Sequence, residues 1–84
     1  MTEIIKYPIS TEKAVKMMES ENKLVFIVSK KATKAEVKQE LEKLFKVKVL
    51  SVNMMVNSLG KKKAYVRLSP ENLAMDVATQ LGLV

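Results

Sequence analysis

The sequence predicts an α+β domain with one small three-stranded sheet and helices on one of its faces. Three segments predict it: a continuous apolar run at residues 24–28, a helix pattern over residues 33–46, and two strand-like segments within residues 47–68 that a short turn connects. The predicted elements follow one another as helix, strand, helix, strand, strand, helix. This order is typical of one mixed layer of helices on a sheet.

The composition indicates a single basic domain over residues 1–84. The formal net charge is +6, and Arg67 is the only arginine, so lysine supplies almost all of the positive charge. Such a balance favours an acidic partner, either nucleic acid or an anionic surface. No apolar run approaches the roughly 20 residues that a membrane span needs, and residues 1–10 lack the apolar core of a signal peptide. We therefore expect no membrane insertion and a cytoplasmic location, with which the absence of cysteine agrees.

The first third of the chain predicts an extended arm, a helix and a strand. The arm covers residues 2–7, and Pro8 disfavours helix in the residue before it. Ser10 is the expected N-cap of a helix that ends within residues 19–22, with Glu12 near the positive end of its dipole. The apolar side of this helix consists of Ala14, Val15, Met17 and Met18.

The strand over residues 23–28 is apolar on both faces, which predicts that both are at least partly covered. Alternation assigns its residues to two groups. The core face is predicted to hold Leu24, Phe26 and Val28. The outer face is predicted to hold Val25 and Ile27.

Two further helices are predicted from their caps. Thr33 and Glu36 match a capping box, and the apolar stripe that follows is Val37, Leu41, Leu44 and Phe45. Ser69 and Pro70 match an N-cap followed by a proline at the first helical position, and Gly82 is the predicted stop. The inner face of this last helix is predicted to be Leu73, Ala74, Val77, Ala78 and Leu81.

Residues 47–68 predict a hairpin with a basic tip. The turn occupies residues 57–61, where Gly60 can take a positive φ and is followed by three lysines. The core face of the hairpin is predicted to be Leu50, Val52, Met54, Val56, Ala64, Val66 and Leu68. The outer face is predicted to be Ser51, Asn53, Met55, Asn57, Tyr65 and Arg67, a polar surface that suits phosphates and bases.

A right-handed crossover makes the first two strands parallel, and the hairpin makes the third antiparallel to the second. The third strand is then expected between the other two, as in a ferredoxin-like split βαβ fold that lacks its last strand. All helices would cover one face and leave the outer face open. This topology brings Lys30, Lys31 and Lys34 toward Lys61, Lys62 and Lys63, and the start of the helix at Thr33 lies at the same edge. We interpret the convergence as a phosphate-binding site; the alternative is that the lysines only promote solubility.

The residue types argue against catalysis. The chain has no histidine and no cysteine, and it has no glycine-rich phosphate loop. Glu36, Glu40 and Glu42 alternate with lysines on a predicted helix, as solvated charge pairs do. We therefore expect no catalytic residues, no metal site and no cofactor.

Several motifs in a fixed order carry a family resemblance. They are Pro8 with residues 10–14 (STEKA), Phe26 and Val28 leading to residues 32–34 (ATK), residues 44–45 (LF) with 47–49 (VKV) and 52–53 (VN), and Gly60 with residues 62–66 (KKAYV). Over essentially its whole length the chain resembles the large-subunit ribosomal protein twenty-three family, in its short archaeal form.

The resemblance implies a structural constituent of the large ribosomal subunit that binds large-subunit rRNA near the exit of the nascent-chain tunnel. It further implies that a ribosomal protein of the twenty-nine family lies beside this one and that the chain forms part of the docking platform for the signal recognition particle. Glu12 stands where bacterial relatives carry a docking glutamate for a chaperone. Those relatives also extend the hairpin into the tunnel, whereas this chain turns at residues 57–61.

We expect the isolated protein to be a monomer and assign its rRNA-binding residues from the lysine runs, the outer face and the family motifs. They are Lys6, Tyr7, Thr11, Lys13, Lys30, Lys31, Thr33, Lys34, Asn53, Asn57, Lys61, Lys62, Lys63, Tyr65 and Arg67.

Two other hypotheses about the function remain open at this point. A free RNA-binding module of the ribonucleoprotein-motif type also uses an open sheet face, but it stacks bases on aromatics from two adjacent strands, and here only Tyr65 is predicted on that face. A regulatory ligand-binding domain of similar topology would have an apolar pocket and bind no RNA.

Overall fold

The computed structural model describes residues 3–82, which form four strands and three helices. In chain order they are β1 (Ile5–Pro8), α1 (Glu12–Glu21), β2 (Lys23–Val28), α2 (Lys34–Phe45), β3 (Val49–Val56), β4 (Lys62–Leu68) and α3 (Ala74–Gln80). The strands make one antiparallel sheet in the order β1-β2-β4-β3. The α+β class and the central position of the last strand are confirmed, and the prediction of three strands is wrong.

The additional strand is β1, which comes from the predicted extended arm. β1 pairs antiparallel with β2 in a register that shifts between Ile5 and Tyr7, so that Lys6 is an extra, bulged residue. Ile5 lies opposite Val28 and is fully buried, whereas Tyr7 lies opposite Ile27. The bulge therefore puts Ile5 and Tyr7 on opposite faces, although they are two residues apart. Thr2, at the start of the predicted arm, lies outside the described residues.

The hairpin has the predicted register from its middle to the turn and departs from it only at the start of β3. Val52 lies opposite Val66, and Asn53 lies opposite Tyr65, as the alternation predicts. At the end of β3, Val56 lies opposite Lys62 beyond the core and is 64% exposed, so its prediction as a core residue is wrong.

A bulge also displaces the start of β3. Val49 pairs with Leu68 and Ser51 pairs with Arg67, which leaves Leu50 as an extra residue. Val49 is consequently buried, while Leu50 is 52% exposed. The prediction that Leu50 lies in the core is wrong because the bulge interrupts the alternation. The strand also begins at Val49 rather than at Val47.

The first two helices occupy the predicted segments. Thr11, not Ser10, is the N-cap of α1, and its Oγ1 accepts a hydrogen bond from the Ala14 N–H at 3.3 Å. The capping box of α2 is present as predicted, with Thr33 as N-cap. On the predicted stripe of α2, Val37 and Leu41 are buried, but Leu44 is 43% exposed and does not belong to the core.

The last helix starts later than predicted. α3 begins at Ala74 with Leu73 as N-cap, so Ser69 and Pro70 do not open the helix. Asn22, the left-handed C-cap of α1, instead holds residues 69–73 in a non-helical conformation. Its side-chain nitrogen donates to the carbonyls of Leu68, Ser69 and Asn72, and its Oδ1 accepts from the Ala74 N–H at 2.7 Å.

This delayed start leaves Leu73 56% exposed, contrary to its predicted place on the inner face. Ala74, Val77 and Ala78 are buried as predicted. The helix ends before Gly82, whose φ of 75° agrees with the predicted stop.

The core lies between the inner face of the sheet and the helices. Its most deeply buried members include Phe26, Val66, Val37 and Val77. Val25 and Ile27 are only 4% and 5% exposed, which confirms that both faces of β2 are covered and makes the prediction of an open outer face wrong at this strand. Ala14 and Met17 of α1 border a cavity of about 80 Å³ together with Val25 and Tyr65, so α1 reaches this face. The outer face is open over β3 and β4 only.

None of the helices described in residues 3–82 combines the length and apolar character that crossing a membrane requires.

Candidate nucleic-acid interface

One end of the sheet collects lysines from three separate segments, and we call it the lysine edge. It is a cavity of about 440 Å³ between β1, the β2–α2 loop and the β3–β4 hairpin. Its lining comprises Lys6, Tyr7, Ile27, Val28, Ser29, Lys30, Lys31, Lys61 and Lys62. Five of these residues are lysines and none is acidic, which makes the cavity a strongly positive concavity.

The structure brings together most of the predicted lysine cluster. Lys30 and Lys31 meet Lys61 and Lys62 as the topology requires, and β1 adds Lys6 and Tyr7. Lys34, which is exposed on α2, does not line the cavity. Lys63 pairs with Ile27 and Met55 on the outer face and borders the smaller cavity beside Tyr65.

The two central lysines of the edge have different surroundings. Lys61 is exposed; its Nζ donates to Tyr7 Oη at 2.9 Å and lies 5.6 Å from the centre of the Tyr7 ring. Lys62 is half-buried, and its Nζ donates to the carbonyls of Ala32 at 2.9 Å and Lys30 at 3.3 Å. Lys61 can therefore turn to a phosphate easily, whereas Lys62 ties the hairpin to the β2–α2 loop.

The hairpin turn is held by Asn57. Its Oδ1 accepts from the N–H groups of Leu59 at 3.0 Å and Lys61 at 2.9 Å, as in an Asx turn. Gly60 has the predicted positive φ, 77°, and a Cβ placed there would lie 3.7 Å from Lys30 Nζ. The side chain of Asn57 therefore stabilises the turn that presents Lys61.

The start of α2 is less suited to a phosphate than the sequence indicates. Thr33 Oγ1 accepts from the Glu36 N–H at 3.2 Å, and Glu36 Oε1 accepts from the Thr33 N–H at 3.0 Å. The capping box thus pairs two of the end amides and places a carboxylate at the positive end of the helix dipole. The attraction for phosphate at this edge comes from the lysines.

Beside the lysine edge, the open half of the outer face carries polar groups in register. Asn53 lies opposite Tyr65, and Ser51 lies opposite Arg67. Asn53 and Arg67 are exposed and Tyr65 is half-buried. Lys13, Lys63 and Thr11 border the same small cavity as Tyr65, so lysines flank this ring too. A ring beside cations on an open sheet suits an unpaired base and its phosphate.

Residues 3–68 match the family model described as ribosomal protein L23, and this match includes all four strands and both parts of the interface. The chain belongs to the ribosomal protein L23 family. It is therefore a structural component of the large ribosomal subunit, in the cytoplasm, that binds rRNA there, and its family is not one of enzymes.

Among the predicted site residues of this L23-family protein, Glu12 is the acidic one. Its carboxylate Oε1 lies 3.9 Å from Lys16 Nζ one turn later, with the two side chains 89% and 75% exposed. An ion pair so exposed contributes little. The Glu12 carboxylate is thus accessible to a basic partner.

Sequence reasoning missed an apolar groove at the other end of the sheet of this L23-family chain. The groove has a volume of about 380 Å³, and its lining includes Leu50, Leu68, Leu73 and Met75. Periodicity predicts Leu50 and Leu73 in the core, whereas the bulge in β3 and the late start of α3 place them in this groove. No local sequence signal marks either event.

Residues 3–82 contain no group of three or more histidine, cysteine, aspartate or glutamate side chains that is arranged to hold a metal ion.

Proposed function

We propose that the lysine edge and the open half of the outer face are the surface through which this protein binds large-subunit rRNA. The observation that carries the proposal is the cavity lined by five lysines and no acidic residue. Lysines at a phosphate backbone gain affinity by releasing counterions, so the affinity falls with salt. The position that we propose is near the exit of the nascent-chain tunnel, which the family resemblance supports.

The proposed residues fall into three groups by their contacts. Phosphate contacts come from Lys6, Lys13, Lys30, Lys31, Lys34, Lys61 and Lys63. Base and sugar contacts come from Tyr7, Asn53, Tyr65 and Arg67. Residues that also shape the local backbone are Thr11, Thr33, Asn57 and Lys62, since each has a hydrogen bond within a cap, turn or loop.

The test is the salt dependence of rRNA binding by two variants that lose the same charge. One replaces Lys30, Lys31 and Lys61 with glutamine; the control replaces Lys38, Lys43 and Lys46, which are exposed on or just after α2. Each lost phosphate contact lowers the slope of log affinity against log salt by roughly 0.7 to 0.9. We expect a drop of roughly 2 to 3 for the first variant and little change for the control. Equal slopes for both variants would exclude the lysine edge as the phosphate site.

For protein neighbours, we propose one of the twenty-nine family and the signal recognition particle, as the resemblance implies. The accessible Glu12 carboxylate supports a contact with a basic surface of the particle. A rim charge of this kind acts mainly on association rate and salt dependence.

This contact can be tested with ribosomes that carry Glu12→Gln or Glu12→Lys. We expect a graded loss of particle binding, larger for lysine, with subunit assembly intact. Glu19→Lys is the matched control, because Glu19 is an exposed acid on the same helix. Equal binding by all variants would leave Glu12 with its helix-dipole role alone, which is worth about 0.3 to 1 kcal/mol.

The short hairpin supports a position outside the tunnel wall. The turn closes within residues 57–61, and Leu59 at its tip is 81% exposed. A photo-crosslinker at Leu59 is expected to label rRNA or ribosomal neighbours and no nascent chain inside the tunnel. Labelled nascent chains of short length would contradict this placement.

A free RNA-binding module of the ribonucleoprotein-motif type is less well supported. Such a module needs a second aromatic beside Tyr65, and its two cross-strand neighbours are Val25 and Asn53. The two functions differ in sedimentation: a ribosomal protein co-sediments with large subunits in low salt, whereas a free module leaves a substantial soluble pool.

A further inference from the structure

The cavity at the lysine edge has the shape of a small-molecule site as well as the charge of a phosphate site. Its volume of about 440 Å³ lies within the roughly 300 to 1,000 Å³ of typical ligand pockets. Ile27 and Val28 in its lining are almost fully buried, and Tyr7, opposite Ile27, is 42% exposed. Ile27 lies on the same face of the sheet as Tyr7, whereas Val28 faces the core, so the cavity combines a small apolar floor at Ile27 with an accessible aromatic wall at Tyr7.

The cations stand around this apolar floor. Lys61 Nζ lies 2.9 Å from Tyr7 Oη and 5.6 Å from the ring centre, so one ammonium group is positioned beside the aromatic wall. Lys6, Lys30 and Lys31 complete the rim, and no acidic residue lines it. A bound phosphate alone would contact the lysines of the rim but neither the apolar floor nor the Tyr7 ring.

We propose that this cavity receives a single unstacked nucleotide of the rRNA, with its base against Tyr7 and Ile27 and its phosphate on Lys61 and Lys31. The proposal rests on the proposed rRNA binding and names the form of RNA that this part of the surface takes. A cavity of this volume has room for one base and its phosphate but not for the width of a duplex. By contrast, extruded bases of single-stranded loops and bulges stack on aromatic side chains, and this stacking is possible with any base.

The direct test titrates the full-length, ¹⁵N-labelled protein with adenosine or uridine monophosphate and, separately, with inorganic phosphate. The amides of Ile27, Val28 and Ser29 report on the cavity, and that of Asn53 reports on the outer face. We expect both nucleotides to shift the cavity amides at several-fold lower concentration than phosphate does. Equal responses to phosphate and nucleotide, or no response of the cavity amides, would overturn the proposal.

Variants at Tyr7 extend the test to rRNA itself. Tyr7→Ala removes the aromatic wall, and Tyr7→Leu fills the space without a π face. We expect both to lower the affinity for rRNA about 5- to 150-fold, as the loss of one base stack does, with the salt slope unchanged. Tyr7→Phe keeps the ring and loses only the hydrogen bond with Lys61, so it is expected to bind almost normally. If Tyr7→Leu binds as well as Tyr7→Phe, no base stacks there.

The two levels of the proposal fail in different ways. If the protein binds rRNA with the expected salt slope while the nucleotide titration leaves the cavity unaffected, the nucleotide site is wrong and the phosphate-binding edge stands. If the protein binds no rRNA at all, the proposed rRNA surface fails, whatever the free nucleotides do.

Discussion

The two ends of the sheet use polar groups in opposite ways. At the lysine edge, five lysines line a cavity whose lining includes no acidic residue. At the other end, the side chain of Asn22 bonds to three carbonyls and one N–H between Leu68 and Ala74. One end uses a polar side chain to fix the backbone, and the other gathers cations around a concave surface. We therefore propose that stability and RNA binding depend on different ends of one small domain.

Lys62 is where this division is incomplete. It belongs to the lysine edge by position, but its ammonium group bonds to the carbonyls of Ala32 and Lys30. Those bonds fix the loop that carries Lys30 and Lys31. A residue in the binding end therefore has a structural role, and substitutions can measure how far the two ends are independent.

The largest effect on stability is expected from Asn22. Asn22→Ala removes four hydrogen bonds and puts alanine at a φ of 55°, which we expect to lower the free energy of unfolding by about 2 to 4 kcal/mol. Asn22→Gly loses the same bonds but accepts the left-handed backbone. Urea unfolding should therefore rank glycine between wild type and alanine, with rRNA binding unchanged below the transition. Comparable losses of stability and affinity would contradict the separation of the two ends.

Tyr65 and Val66, which are adjacent on β4, test the register of the sheet with a somewhat smaller expected loss of stability. Val66 is fully buried, so Val66→Ala is expected to lower the free energy of unfolding by about 2 to 3 kcal/mol and leave binding intact. Tyr65→Ala is expected to weaken rRNA binding by about 1 to 3 kcal/mol through a lost base stack, with little change in salt slope. Thermal unfolding measures the stability of both variants, and filter binding measures their affinity for rRNA. The reverse assignment of the two losses would mean that the faces of β4 are exchanged.

The smallest effect, and the sharpest test of the comparison, is at Lys61 and Lys62. Lys62→Gln is expected to lower the free energy of unfolding by about 1 kcal/mol, because its donated bonds are lost at a half-buried site. Lys61→Gln is expected to leave stability unchanged and to lower the salt slope by roughly 0.7 to 0.9. The two variants have the same net charge, so each is the control for the other. Identical salt slopes and identical stabilities would show that the hairpin lysines are equivalent.

The sequence predicts those parts of the fold whose cause is local. The apolar run of β2 and the capping box at Thr33 depend on neighbouring residues, and both stand as predicted. The place of β4 between β2 and β3 is that of the middle strand in a split βαβ unit, which the order of predicted elements indicates. By contrast, α3 starts late because Asn22 meets Ala74, 52 residues further along the chain. A local cap motif at Ser69 cannot reveal such a contact.

The candidate site divides in the same manner. Topology alone brings the β2–α2 loop to the hairpin, so the meeting of Lys30 and Lys31 with Lys61 and Lys62 could be predicted. The contribution of Tyr7 to a cavity wall could not, because it depends on a four-residue strand whose sequence, IKYP, has no strand periodicity. The engagement of Lys62 by two carbonyls likewise depends on the path of a loop.

The bulges at Lys6 and Leu50 have a further consequence for the chain before it is assembled with RNA. They lie on β1 and β3, the two edge strands, where unpaired backbone groups are a template for another molecule's strand. β3 has eight residues and no charged one among them, so its sequence offers little protection. A bulge twists and interrupts such an edge. Deleting Leu50 would make that edge regular, and it should promote self-association and precipitation of the free protein before it unfolds the domain.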